Sequence, residues 1–171
     1  MAGYEKYAVR WLTWFDAAAF CDWRTESEGL PPGSYHLPIE AQWEKAAGWT
    51  PGNTRLWTYA IQSDVIDCGR ANYNNCVGGV TEVGRYRCYK SHYGCFDMSG
   101  NAWEWCSDFW GDYPSGQFDP SGPESGVDRS LRGGSWFEAG PGVEVGHRHH
   151  ADPNSTSSGY GFRCARTVCP R

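Results

Sequence analysis

The pattern of apolar and polar residues predicts two helices in the first third of the chain. Thr13 has the side chain of a helix N-cap, and residues 14–28 favour a helix that Gly29 ends. Four residues near helical spacing are expected to face the core, namely Phe15, Ala18, Ala19 and Trp23. Pro38 suits the first turn of a second helix, which extends to about residue 47.

Beyond these helices the chain predicts short strands separated by long loops. The strand candidates are residues 7–12, 81–86, 102–106, 131–137 and 161–166. Residues 50–80 and 111–130 are rich in the residues that form turns and irregular loops. Long ordered loops usually carry function or are clamped by a disulfide or a metal ion.

The composition narrows the fold class. Leu, Ile and Val number 17 together, whereas Trp, Tyr and Phe number 27, beside 22 Gly and 10 Pro. This excludes an aliphatic helix bundle and a parallel sheet rich in Val and Ile, and it favours a loop-rich domain packed by aromatic rings. With 171 residues and no internal repeat, residues 1–171 are interpreted as a single domain.

The charge balance bears on possible partners. The chain has 15 Lys and Arg against 20 Asp and Glu, a formal net charge of −5. This excess of acidic residues disfavours nucleic acid and anionic membranes as partners. Apolar runs such as residues 16–21 are too short to span a bilayer, so no membrane insertion is expected. No secretory signal is visible at the start of the chain.

Eight cysteines are a high and even number for this length, and none forms a Cys-x-x-Cys motif. The spacings of Cys68 to Cys76 and of Cys88 to Cys95 suit local disulfides. Structural disulfides indicate an oxidising compartment, so an extracellular, periplasmic or cell-surface location is favoured. Buried free thiols are the alternative.

A run of histidines at residues 147–150 is a candidate for metal or ligand binding. In an extended segment His147 and His149 would face one side and His150 the other. A metal ion would therefore need a third ligand, for which the candidates are Glu138, Glu144 and Asp152. The alternative, which we favour, is exposed or stacking histidines on a surface segment.

Several longer motifs occur in a characteristic order. They are residues 14–23, 35–47 and 93–105, then Arg-Gly-Gly-Ser-Trp at 132–136 and Gly-Phe-Arg-Cys-Ala at 161–165. Over roughly residues 9–167 the chain resembles the formylglycine-generating enzyme and sulfatase-modifying-factor family. The resemblance implies an α+β, C-type lectin-like fold with few regular elements and long ordered loops. Because family members begin with an additional strand pair, the N-terminal part of the family domain is expected to be missing or minimal here.

The resemblance also implies a catalytic requirement that this sequence does not meet. Enzymes of this family hold copper with two cysteines that follow the Gly-Gly-Ser-aromatic motif, and thiolates are the ligands that Cu(I) prefers. Glu138 and Val143 stand near those places, and no cysteine occurs between Cys106 and Cys164. We therefore expect no copper, no catalytic residues and no conversion of cysteine to formylglycine. The alternative is a formylglycine-generating-type or other metal-dependent oxidoreductase with an altered site.

Two structural features are implied by the same resemblance. The residues that match the family's calcium ligands are Asp97, Gly100, Ala102 and Glu104. Two carboxylates and two backbone carbonyls are oxygen donors of the kind that Ca²⁺ prefers, so a structural calcium ion is expected. The alternative is that Asp97 caps a turn and Glu104 pairs with an arginine. The implied disulfide joins Cys21 to Cys164.

The segment between the last two motifs, residues 137–160, is where lectin-type folds build a ligand-binding face. Retroelement-diversified variable proteins are similar in this frame and concentrate their changes in the matching window. The candidate contact residues are Phe137, Glu138, His147, His149, His150 and Asp152. The function we favour is a non-catalytic module that binds a protein or glycan with this segment. An accessory domain of a larger assembly is a further possibility, and the oligomeric state is left open.

Overall fold

The computed structural model describes residues 5–52, 56–113 and 120–167. Within these ranges the chain forms two α-helices, six short strands and one 3₁₀ helix. The helices are α1 (Trp14–Ser27) and α2 (Glu40–Gly48), and the 3₁₀ helix is Gly140–Val143. The strands are β1 (Tyr35–His36), β2 (Trp103–Phe109), β3 (Arg129–Arg132), β4 (Arg148–Ala151), β5 (Tyr160–Phe162) and β6 (Ala165–Arg166).

The main sheet has four strands in the order β4-β3-β2-β5, and β1 pairs with β6 in a separate two-stranded sheet. β3 is antiparallel to both β2 and β4, whereas β5 runs parallel to β2. In this register Leu131 lies opposite both Trp105 on β2 and His149 on β4. The sheet therefore places the histidine run on the strand next to β3, with β3 lying between it and β2.

Helix α1 begins as predicted, because its cap is local. Thr13 Oγ1 accepts a hydrogen bond from the Asp16 N–H, and the Asp16 carboxylate accepts one from the Thr13 N–H. The predicted core face is confirmed only for Ala18, which packs against the core, whereas Phe15 and Trp23 are 52% and 59% exposed and Ala19 is also exposed. The buried positions are Ala17, Cys21 and Thr25, whose small side chains let the helix lie close to the large rings of β2.

Helix α2 begins two residues after the predicted proline and is capped from a distance. Ile39 at the N-cap makes no side-chain hydrogen bond to the helix, and Asp108 Oδ2 on β2 instead accepts from the Glu40 N–H at 2.8 Å. Trp43 and Ala47 bury their side chains in a core cluster that contains Cys106 of β2. The helix thus depends on the sheet for both its start and its packing.

The two faces of the sheet build two cores. One cluster joins α1 to Trp103, Trp105 and Leu131, and the other joins α2 to Cys106 and the neighbouring loops. The period of two along a strand explains how β2 serves both clusters. No helix among the described residues is both long enough and apolar enough to cross a bilayer.

Several strand predictions need correction. Residues 7–12 and 81–86 are not strands and meet only in an isolated bridge between Tyr7 and Glu82. The strand expected at 131–137 ends at Arg132, because Gly133 and Gly134 have φ angles of +93° and +74°. A Cβ at Gly134 would lie 2.4 Å from the Gly142 carbonyl oxygen, so this glycine is required for a close backbone approach.

Candidate functional site

The histidines at 147–150 point alternately to the two sides of the sheet, because His147 directly precedes β4 and the others lie on that strand. The rings of His147 and His149 lie 5.7 and 5.1 Å from the Trp103 ring, on the α1 side. His150 turns the other way, stacks on Trp110 at 4.6 Å and lies 2.5 Å from Asp128 Oδ2 through its Nδ1. The predicted division of the three histidines is therefore observed.

Two further side chains complete the group around Trp103. The Trp103 Nε1–H donates to Glu138 Oε1 at 3.2 Å, and His149 Nε2 lies 3.3 Å from the Tyr160 hydroxyl. We call these five residues, Trp103, Glu138, His147, His149 and Tyr160, the histidine surface. They come from β2, from the loop after the Gly-Gly-Ser motif, from β4 and its preceding turn, and from β5. Trp103 is buried, whereas the other four are partly or fully exposed above it.

The charge of the histidine surface follows from its burial. Burial lowers the pKa of His149, and the neighbouring His150 lowers it further. The imidazole of His149 is therefore neutral at pH 7. Burial raises the pKa of Tyr160, and the nearby Glu138 carboxylate adds to that increase. The surface thus favours the neutral forms of His149 and Tyr160 beside the Glu138 side chain.

The remaining predicted contact residues fall at the edge of this surface or away from it. Phe137 packs edge-on against Trp136 at 5.1 Å and over Gly159, and it is 38% exposed at the margin of the surface. Asp152 is exposed and accepts hydrogen bonds from Asn154 within a turn. The structure therefore brings Phe137, Glu138, His147 and His149 into one region and leaves His150 and Asp152 outside it.

The sequence interpretation missed Trp103 and Tyr160 as members of the site. Trp103 lies in the motif at residues 93–105 and Tyr160 is the last residue of the candidate binding segment, and their neighbours on the surface arrive from other strands. The available signal was the position of Tyr160 directly before the Gly-Phe-Arg motif, at the end of the candidate binding segment.

The proposed metal ligands of the histidine run do not converge. Among the described residues, no group of three or more His, Cys, Asp or Glu side chains is arranged to hold a metal ion. Of the possible third ligands, Glu144 lies near Tyr59, where its charge adds to the effect of burial in raising the pKa of that tyrosine. Asp152 accepts a hydrogen bond within its own turn. Glu138 reaches the histidines, but its Oε1 accepts from Trp103.

The two positions that would hold copper in an enzyme of this type differ in their surroundings. Glu138 is half-buried on the histidine surface, whereas Val143 is fully buried. A carboxylate is too hard to replace a thiolate on Cu(I), and a valine side chain offers no donor atom. The donor set found here does not fit a copper ion.

The predicted calcium ligands lie near Arg163. Its Nε and Nη2 donate to the two carboxylate oxygens of Glu104, each at 2.5 Å, and Trp43 Nε1 donates to Glu104 Oε2 at 2.6 Å. Asp97 has a φ of +57°, and its Oδ2 accepts from the Gly84 N–H at 2.6 Å. The arginine pairing weighed as an alternative for Glu104 is thus present in the structure.

The surroundings of the Asp97 carboxyl disfavour its charged form. Burial raises its pKa, and the charge of Glu104 raises it further, which outweighs the Gly84 hydrogen bond and the Arg163 charge. Oxygen donors of this kind suit Ca²⁺, with Gly100 and Ala102 offering backbone carbonyls. Calcium here remains a prediction in which the ion and Arg163 would share Glu104.

One predicted disulfide is formed and the other pair of cysteines is in contact. Cys68 and Cys76 are bonded, with their Cα atoms 5.6 Å apart. The sulfurs of Cys21 and Cys164 lie 3.5 Å apart as thiols, and this contact lowers the pKa of Cys164 while raising that of Cys21. Cys88 and Cys95, whose spacing also suits a disulfide, are free thiols. The Cys21–Cys164 bond stays a prediction that the contact makes geometrically accessible.

A family model and similar proteins of known name agree on the family of this chain. The model of the sulfatase-modifying factor enzyme 1-like domain matches residues 2–168. The serine/threonine-protein kinase pkn1 of Chlamydia pneumoniae is 34% identical over 97% of this chain, which spans 25% of that protein. The formylglycine-generating enzyme of Thermomonospora curvata is 30% identical over 90% of the chain, which spans 54% of that enzyme.

Among solved structures, Treponema denticola variable protein 1 superposes with a TM-score of 0.81 and 28% sequence identity. The match covers 94% of this chain and 71% of that protein. The match supports the predicted α+β, C-type lectin-like fold. The chain spans about a quarter to a half of the curated relatives described above.

Proposed function

The chain belongs to the family of sulfatase-modifying factor enzyme 1-like domains, and from this premise we propose that it is a non-catalytic ligand-binding module. Its histidine surface, with Phe137 at the margin, recognises a protein or a glycan. The observation that carries this proposal is the convergence of Glu138, His147 and His149, all from residues 138–149, onto the buried ring of Trp103.

The support for binding comes from the contrast between the buried residues of the two flanking motifs and the exposed residues between them. Gly133, Gly134 and Arg132 of the preceding motif are buried, as is Gly161 of the following one. Phe137 and His147, which lie between these motifs, are exposed, so their side chains can be substituted without disturbing the core. The neighbour from Treponema denticola is itself named a variable protein. By analogy we propose that residues 137–160 form a diversified recognition segment.

The support for a non-catalytic role is the chemistry of Glu138 and Val143. Neither position offers the thiolate that thiol-dependent copper chemistry requires. The pairing of Cys68 with Cys76 fits an oxidising compartment, in keeping with an extracellular, periplasmic or cell-surface location.

The binding proposal is tested by selection on the purified chain. A displayed peptide library and a glycan array are both presented to the parent protein and to the double variant H147A/H149A. Ligands should be retained by the parent protein and lost by the double variant. H150A is the matched control, because this histidine belongs to the same run but lies against Trp110, and it should bind as the parent does. Equal retention by the parent and the double variant would refute the proposal.

The non-catalytic proposal has its own assay. The protein is incubated with copper and a cysteine-containing sulfatase-type peptide, and loss of the peptide thiol is followed by mass spectrometry. We expect no loss beyond that in a copper-only control. Turnover above that control would establish the family's enzymatic function here and overturn the proposal.

A further inference from the structure

Glu138 is a half-buried carboxylate that has no arginine or lysine partner among the described residues. Its Oε1 accepts only the neutral Trp103 Nε1–H, and its other oxygen lies over the backbone of Gly142. The arginine ion pairs in the described ranges go to other carboxylates. A partly desolvated carboxylate without a cation is costly, and an incoming positive charge relieves that cost.

The neighbouring strand does not supply this cation. Arg148 lies between His147 and His149 in sequence, but its side chain points to the opposite face of the sheet. There its Nε and Nη2 donate to the two oxygens of Glu40 at 2.6 and 2.8 Å. The same alternation that places His147 and His149 around Trp103 therefore directs the Arg148 guanidinium away from Glu138.

The rings around Glu138 add a second attraction for a cation. Tyr160 is half-buried with its hydroxyl against His149, and Phe137 at the margin is 38% exposed, so a ligand can reach these rings rather than the buried Trp103. Aromatic rings attract cations through their negative faces, most strongly where water is excluded. Since burial keeps His149 uncharged at neutral pH, this imidazole does not compete for the carboxylate.

We infer that Glu138 and the rings of the histidine surface form a receptor for an organic cation, the side chain of a lysine or arginine in a protein ligand. This inference rests on the proposed binding function and specifies its ligand. A charge-assisted hydrogen bond to Glu138 would orient the ammonium or guanidinium group, and the rings would contact its alkyl stem.

The same geometry disfavours a glycan. Sugars bind well on an open aromatic face, but Trp103 is only 3% exposed and the Tyr160 hydroxyl is already engaged by His149. The openly exposed rings are those of His147 and, at the margin, Phe137. A narrow charged group suits this surface better than a flat saccharide ring.

The first test uses small probes on the intact chain. Nα-acetyl-lysinamide and the neutral Nα-acetyl-norleucinamide, which has the same four side-chain carbons without the ammonium group, are titrated separately, and the Trp103 indole N–H resonance is followed by NMR. We expect saturable shifts with the lysine probe and at least tenfold weaker binding of the norleucine probe. Equal binding of the two would overturn the inference without any variant.

The second test removes the charge and keeps the shape. E138Q retains an oxygen that accepts from Trp103, so its melting temperature should stay close to that of the parent. Binding of the lysine probe should fall at least tenfold. E144Q is the matched control, because it removes the same charge at a partly exposed position in the same segment, and it should bind within twofold of the parent. Unchanged binding by E138Q would refute the inference.

Peptides and glycans from the selection separate this inference from the broader function. Selected peptides should contain a lysine or arginine whose replacement by norleucine or citrulline abolishes binding. Ligands that bind the histidine surface without a cation, glycans included, would refute the cation receptor and leave the binding function intact. A selection that yields no ligand dependent on this surface would refute both.

Discussion

The buried carboxyl of Asp108 gives a prediction whose size follows from the structure. Its Oδ2 accepts the Glu40 N–H at the start of α2, but burial and the Glu40 charge raise its pKa from 3.8 to about 6. A carboxyl whose pKa is raised by folding binds its proton more tightly in the native state. It therefore destabilises the native state at pH 7.5, and this effect fades as the pH falls through 6.

The variant D108N isolates this effect. The asparagine oxygen still accepts the Glu40 N–H, but the side chain no longer titrates. Using pKa values of about 6 folded and about 3.8 unfolded, linkage gives a gain of about 1.4 kcal/mol for the parent between pH 7.5 and pH 5, relative to the variant. The measurement is urea denaturation of both proteins at pH 7.5, 6 and 5.

Contributions from the other titratable groups are common to both proteins and cancel in the difference. Parallel stability curves for parent and D108N across this range would show that Asp108 titrates normally. A difference that grows in favour of the variant toward pH 5 would show that the sign of the reasoning is wrong. Either result would refute the raised pKa of Asp108 and the effect of burial that explains it.

Three further predictions concern the cysteine pair, the calcium ligands and the binding surface. An oxidised preparation should yield a Cys21–Cys164 peptide on non-reducing mass mapping, and closing this 143-residue separation contributes up to ~4–5 kcal/mol; recovery of both as free thiols would contradict it. D97A should lower the melting temperature and a chelator should lower that of the parent but not of the variant; a parent indifferent to calcium and chelator would exclude the ion. Alanine at both Phe137 and His149 should weaken ligand binding at least tenfold with little change in melting temperature; a large loss of stability would mean that these side chains belong to the core.

How far the sequence predicts this fold depends on how local the interactions are. The Thr13 cap involves residues three apart, and the pattern located it correctly. The buried face of α1 was predicted to include Phe15 and Trp23, but the side chains that pack against the rings of the sheet are small ones such as Ala17, Ala18 and Cys21. The start of α2 depends on Asp108, which is 68 residues away, so no local pattern contains that contact.

The candidate site shows the same limit. The separation of His147 and His149 from His150 follows from the period of an extended chain and was predictable. Their common neighbour Trp103 comes from another strand, and the pairing of β2 with β3 and β4 is required to bring it there. Likewise, only the folded chain reveals that Arg163 engages Glu104.

The alternation along β4 has a consequence for how this protein can change. Arg148 and His150 anchor the strand to Glu40 and Asp128, while His147 and His149 contribute to the opposite side. The even positions 148 and 150 thus anchor the strand, and the odd positions 147 and 149 belong to the proposed binding surface. If that surface binds a ligand, a mutation at either odd position would change specificity without touching the anchors, at little risk to folding.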